Sequence, residues 1–166
     1  FEPRFKRDTS LADDNTPISE VLKFVIKEYE KDKIYFDTIG LFFATAFSLD
    51  VDIIKDATYE FESNQDSSQM ISIKNYPVPI EWAMKKDSKN FLVPVNKKSL
   101  LIRSQDLTDS WYETAEFVYY DSKSIYDNNP DALKKGFLVS HDSIDIDTFK
   151  DWKIAESIYN VKAEKK

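Results

Sequence analysis

The stretch Thr38-Ile39-Gly40-Leu41-Phe42-Phe43-Ala44 decides the fold class. It is a short apolar run without a charge, as expected of a strand covered on both faces in a parallel sheet. Upstream, Ile18, Val21, Leu22, Val25 and Tyr29 recur at helical spacing. Thr16 is placed to cap that helix, with Pro17 at its first position. The largely charged run from Lys27 to Lys33 should end it. Downstream, Ser48 or Asp50 opens a second helix with Ile53, Ile54, Ala57 and Phe61 on one side. Gln69 to Lys74 then reads as a strand. Helices alternating with buried strands predict an α/β fold with a mixed sheet.

The middle of the chain reads differently. Ile80 to Lys85, Phe91 to Val95 and Leu100 to Arg103 read as short strands or hairpin arms. Turns fall at Pro77-Val78-Pro79 and Asp87-Ser88-Lys89-Asn90. Glu116 to Tyr120 and Gly136 to Val139 read as strands, with a short helix over Asp121 to Asn128 between them. Thr148-Phe149-Lys150-Asp151 approaches a capping box and opens a last helix through Trp152, Ala155, Ile158 and Tyr159. The tail from Lys162 to Lys166 should fray. No repeat and no interdomain linker is evident, so residues 1–166 read as one domain.

Composition excludes several chemistries. The 166 residues include 42% hydrophobic and 14% aromatic residues, enough for a core. The only glycines are Gly40 and Gly136, so neither a G-x-G-x-x-G turn nor a Walker-type loop is written. There is no cysteine, which removes thiol nucleophiles and cysteine-ligated metals. His141 is the one histidine, which excludes H-E-x-x-H sites. A net charge of −7 argues against nucleic acid or an anionic membrane as partner. No apolar run nears the roughly 18 residues of a membrane span, and no signal-peptide core is present. The expected compartment is the cytoplasm. The first residue is Phe1, which fits a piece of a longer chain and a processed terminus equally.

The most informative polar segment is Ser143-Ile144-Asp145-Ile146-Asp147-Thr148. In an extended backbone Ile144 and Ile146 point one way, and Asp145 and Asp147 the other. Two hard oxygen ligands at a strand–helix junction fit Mg²⁺, which takes one or two carboxylates plus waters and substrate phosphates. The same spelling also fits a polar strand edge leading into a helix cap. Arg103-Ser104-Gln105-Asp106-Leu107 is a second polar cluster. Its arginine could hold a carboxylate or phosphate, or be an ordinary surface arginine. His141 reads as a loop histidine without a ligand.

Taken in order, four segments resemble the acylneuraminate cytidylyltransferase family, most closely its pseudaminic-acid branch. Leu11-Ala12-Asp13-Asp14-Asn15-Thr16 is similar to a stretch before a family helix. Leu41-Phe42-Phe43-Ala44-Thr45-Ala46 is similar to its buried strand ending in A-T-A. Arg103 to Leu107 is similar to its R-S-Q-D-L segment. Ile144 to Thr148, followed by Asp151-Trp152 and Ala155-Glu156, is similar to its D-I-D-T-x-x-D-W-x-x-A-E ending. The resemblance implies a Rossmann-like nucleotidyltransferase fold. It implies transfer of CMP from CTP to a nine-carbon keto-acid sugar (a nonulosonic acid), with release of pyrophosphate. It implies Mg²⁺ held by Asp145 and Asp147 as the catalytic pair. Arg103, Gln105, Thr45 and Glu116 would contact substrate, and residues of about 76–109 would reach a second subunit, giving a homodimer.

Departures from the family pattern are equally specific. Its phosphate-holding loop, of the form G-S-K/R-R-x-x-x-K-N, is not written here. The expectation is therefore a C-terminal portion that lacks the first strand or strands, beginning near the family's second or third, and is inactive alone. Phe47 stands where the family has proline, and Glu81-Trp82 where it has glutamine and arginine. Ala115-Glu116 stands where it has glycine and glutamine. These changes also fit a non-catalytic binding or oligomerisation domain on the same fold.

Overall fold

The computed structural model describes residues 3–64, 67–127 and 133–164. Among the described residues there are three helices, α1 (Ile18–Lys31), α2 (Val51–Glu62) and α3 (Phe149–Ala163), and six strands, five of which lie between α2 and α3. The strands are β1 (Thr38–Phe42), β2 (Gln69–Asn75), β3 (Met84–Lys86), β4 (Leu92–Pro94), β5 (Trp111–Asp121) and β6 (Lys134–Leu138). Four form a mixed sheet in the order β1-β5-β2-β6, and β3 and β4 form a separate antiparallel pair. This is an α/β fold consistent with the nucleotidyltransferase type.

β1 differs from its sequence reading. It ends at Phe42, two residues before Ala44. It stands at one end of the strand order and runs antiparallel to β5, with Thr38 opposite Asp121 and Phe42 opposite Phe117. Ile39 and Leu41 pack inward while Gly40 and Phe42 are exposed, the alternation of a half-covered strand. Gly40 leaves room for its neighbours, since a Cβ there would lie 2.9 Å from the Phe42 ring.

The chain divides into two units, each assembled from separated segments. The first comprises Phe1–Ala44, Leu49–Ile71 and Phe117–Lys135. In it Leu22 and Ile26 of α1 pack with Ile125, against Ile39, Leu41 and Tyr120. The N-cap of α1 is Pro17, with no side-chain bond to the helix. Thr16 does not cap it, and its amide instead donates to Asp13 Oδ1 at 2.7 Å. Asp50 caps α2, accepting from the amides of Asp52 and Ile53. Ala57 and Phe61 of α2 are buried, and the Phe61, Phe117 and Phe42 rings surround Tyr119. The Tyr119 hydroxyl lies 2.8 Å from Thr58 Oγ1, and burial pushes its pKa up. The helix predicted over Asp121 to Asn128 is a single 3-10 turn, Ser122–Ile125, and Asn128 lies outside the described residues.

The second unit comprises Thr45–Ser48, Ser72–Glu116 and Gly136–Lys166. Asp87 shapes the β3–β4 hairpin by accepting from the amides of Lys89 and Phe91, while Asn90 takes a left-handed φ of 67°. The segment predicted over Ile80 to Lys85 starts as a 3-10 turn and enters β3 only at Met84, and the one predicted over Leu100 to Arg103 starts in a second 3-10 turn. Ile80–Trp82 follows Pro79, and Ser99–Leu101 turns the chain around a buried Ser99. Gly136 lets β6 approach Ile73 of β2, whose Cδ1 would lie 2.3 Å from a Cβ there. The capping box of α3 is complete. Asp151 N–H donates to Thr148 Oγ1, and Thr148 N–H donates to Asp151 Oδ2 at 2.8 Å. The helix continues through Ala163, past the start of the predicted frayed tail, and residues 165–166 lie outside the described residues.

Candidate functional site

Thr45, Arg103, Gln105, Glu116, Asp145 and Asp147 all belong to the second unit. The geometry around Glu116 begins with its neighbour. Ala115 sits inside β5 with φ 53°, a left-handed conformation that glycine adopts freely and alanine only at a cost. Thr114 and Glu116 on either side of it are both buried, and burial is continuous from Glu116 to Tyr119. The Glu116 amide then donates to Ser72 Oγ at 3.2 Å.

The Glu116 side chain, 3% exposed as a residue, has both oxygens engaged by protein groups. Thr114 Oγ1 donates to Oε2 at 3.2 Å, and His141 Nε2 lies 2.5 Å from Oε1. In this bond a carboxylate oxygen accepts, and the ring nitrogen donates when it carries the proton. The other ring nitrogen, Nδ1, is buried and has no hydrogen-bond partner among the described residues. His141, expected to be a loop histidine without a ligand, is instead the partner of a buried acid. The signal was faint but present: a carboxyl group opening an apolar strand needs a donor, and the chain has one histidine.

His141 starts the segment that carries the acidic pair. Val139 N–H donates to the Ile73 carbonyl at 3.0 Å, closing the sheet. The Asp142 carbonyl then accepts from the buried Ser48 hydroxyl at 2.7 Å. Beyond it the chain runs without regular structure to Thr148. Asp145 and Asp147 therefore do not lie at a strand end, because β6 stops at Leu138. The alternation holds regardless: Ile144 and Ile146 are half-buried, while Asp145 and Asp147 are exposed.

Among the described residues this unit carries at least two clefts. One, of about 360 Å³, is lined by Phe47, Ile146, Trp152, Ala155, Glu156 and Tyr159. Phe47 and Ser48 thus bring the segment after Thr45 against the acidic segment at two points. Thr45 is half-buried, and its carbonyl accepts from Phe47 N–H at 2.8 Å. The second cleft, of about 290 Å³, includes Tyr76, Pro77, Ser104, Gln105 and Thr108. Arg103 lies beside it in sequence but is exposed, with Nε bonded to Asp106 Oδ2 at 3.0 Å. Gln105 therefore lines a cleft, whereas Arg103 is paired locally.

Among the described residues no three acidic, histidine or cysteine side chains cluster as a metal site. Asp145 and Asp147 alone are a donor set suited to Mg²⁺, whose remaining positions are filled by water and phosphate oxygens.

No family model matches the chain. Two curated proteins do resemble it. A pseudaminic acid cytidylyltransferase of Campylobacter jejuni subsp. jejuni serotype O:2 is 28% identical over 170 residues. A second, from serotype O:23/36, is 27% identical over the same length. Each alignment covers 96% of this chain and 70% of the relative. The chain resembles pseudaminic acid cytidylyltransferases. The likeness read from Arg103 to Leu107 and from Ile144 to Glu156 thus extends along nearly the whole sequence. Among the described residues no helix is long and apolar enough to cross a membrane.

Proposed function

We propose that the chain serves CMP transfer from CTP to a nonulosonic acid of the pseudaminic or sialic type. The single observation that carries this is the likeness to pseudaminic acid cytidylyltransferases over 96% of the chain. The anomeric hydroxyl oxygen of the sugar attacks the α-phosphorus of CTP. The bond from that phosphorus to the bridging oxygen breaks, pyrophosphate leaves, and the hydroxyl proton passes to solvent. Asp145 and Asp147 would hold Mg²⁺ from the water-facing side of their segment. Held there, the ion would supply charge neutralisation for the triphosphate and would lower the pKa of the attacking hydroxyl.

Arg103 would exchange Asp106 for the sugar carboxylate, a bidentate partner of better geometry. Gln105 would contact the sugar from its cleft, and Thr45 would lie beside the nucleotide or the sugar. Phe91, Leu92 and Leu101 are strongly exposed apolar residues within the 76–109 segment. Their exposure supports a homodimer that covers them. No G-S-K/R-R loop is written in these residues, so turnover of CTP by this chain alone is not expected.

The test is metal binding. Mn²⁺, followed by electron paramagnetic resonance as a stand-in for Mg²⁺, should bind the wild-type chain. The binding should disappear in the D145N/D147N variant. Wild-type protein that binds no Mn²⁺, or a double variant that binds it unchanged, would overturn the metal assignment. It would favour the non-catalytic reading, for which Phe47, Trp82 and Ala115 are the supporting departures.

A further inference from the structure

We infer that Glu116 and His141 are positioning residues for the acidic pair. Their hydrogen bond fixes the β6 end of the segment whose exposed carboxylates would meet the metal. This deepens the metal reading above and rests on it only for its consequence.

The argument starts from where the segment is tied. Between Asp142 and Thr148 it has no regular structure, and Asp145 and Asp147 are exposed. Between the ends it is held by the half-buried Ile144 and Ile146, the latter in the cleft with Phe47 and Trp152. The α3 end is held by the Thr148–Asp151 capping box. The β6 end is held by two side-chain bonds. His141 Nε2 meets Glu116 Oε1 at 2.5 Å, and Ser48 Oγ donates to the Asp142 carbonyl at 2.7 Å. A planar imidazole bonded to a buried carboxylate restricts direction as well as distance. The hydroxyl bond alone leaves the backbone free to pivot.

The arrangement carries costs that simple packing would avoid. Ala115 holds a left-handed φ, a carboxylate is buried, and His141 Nδ1 is buried without a partner among the described residues. Strained or unsatisfied groups persist where the surroundings over-determine them, which marks functional positions. Beside this strained residue the Thr114 and Glu116 side chains meet on the buried side, and Glu116 reaches His141 there. A carboxylate–imidazole bond that acts through the backbone on exposed ligands is the outer-shell role that tunes metal sites.

The experiment compares E116A, E116Q and H141A by two readouts on the 166-residue chain. The first is amide hydrogen exchange over residues 140–147. The second is Mn²⁺ affinity. Glutamine keeps an acceptor for Nε2–H, so E116Q should match wild type in exchange and bind Mn²⁺ within about twofold. E116A and H141A should exchange faster over 140–147, with protection in α1 and β1 unchanged. Their Mn²⁺ affinity should fall by about tenfold, the lower end of the usual outer-shell effect. Unchanged exchange over 140–147 in E116A and H141A would overturn the proposal. So would E116Q behaving like E116A, or loss of protection throughout the chain. If the wild type binds no Mn²⁺, the metal reading fails, and exchange alone still decides whether the pair positions the segment.

Discussion

Among the described residues the first unit buries Leu22, Ile26, Ala57, Phe61, Met70, Phe117, Val118, Tyr119 and Ile125 with one polar residue, Ser124; the second buries the polar Ser48, Ser72, Ser99, Thr114 and Glu116. Among the described residues only Val139 and Ala155 are buried apolar side chains of the second unit. The helices repeat the contrast. α1 turns Leu22 and Ile26 into a core, whereas α3 leaves Phe149, Trp152 and Tyr159 exposed and buries only Ala155. Apolar burial is tolerant of detail and supplies stability. Buried polar groups need specific partners and so define geometry. Every residue tied here to substrate or metal lies in the unit with the polar interior.

The contrast can be broken most directly at Phe117, which is fully buried and touches the Phe42 and Tyr119 rings. Phe117→Ala should cost about 3–5 kcal/mol in urea denaturation. A loss below about 1 kcal/mol would mean that the first unit does not carry the stability assigned to it.

Ala115→Gly sharpens the comparison from the other side. It relieves a left-handed alanine and should stabilise the protein by about 1 kcal/mol in the same assay. The Mn²⁺ affinity should stay unchanged, because glycine holds the same kink. Destabilisation would mean that the kink is not strained.

The smallest effect is expected at the α3 cap. The Thr148 hydroxyl and amide, both donating to Asp151, hold its carboxyl pKa below the usual value. A carboxylate with a depressed folded pKa stabilises above its unfolded pKa, and that stabilisation is lost as pH falls through the folded pKa. Asp151→Asn should therefore lower the melting temperature slightly at pH 7, and the gap from wild type should close below about pH 4. A gap independent of pH would show that ionised Asp151 does not contribute.

Local signals in the chain proved readable where partners are close in sequence. The caps at Asp50 and Thr148 bond to amides within three residues. The apolar stripe of α1 depends on the helical repeat alone, and the alternation of Ile144 to Asp147 survives without a strand. The readings failed where distant contacts decide. Leu100 to Arg103 is as apolar as an edge strand, yet it turns around a buried serine. β1 reads as doubly covered, yet what lies beside a strand is not written within it.

By itself the sequence determined the α/β class, the placement of its helices, the acidic pair at the start of α3 and the resemblance to cytidylyltransferases. Only the tertiary structure decided that Glu116 and His141 meet and that Ala115 is left-handed. It alone set mostly apolar burial in one unit against mostly polar burial in the other. The physical reason is range. Periodicity and capping act over a few residues, whereas a buried acid takes whichever donor the fold delivers, here one 25 residues away.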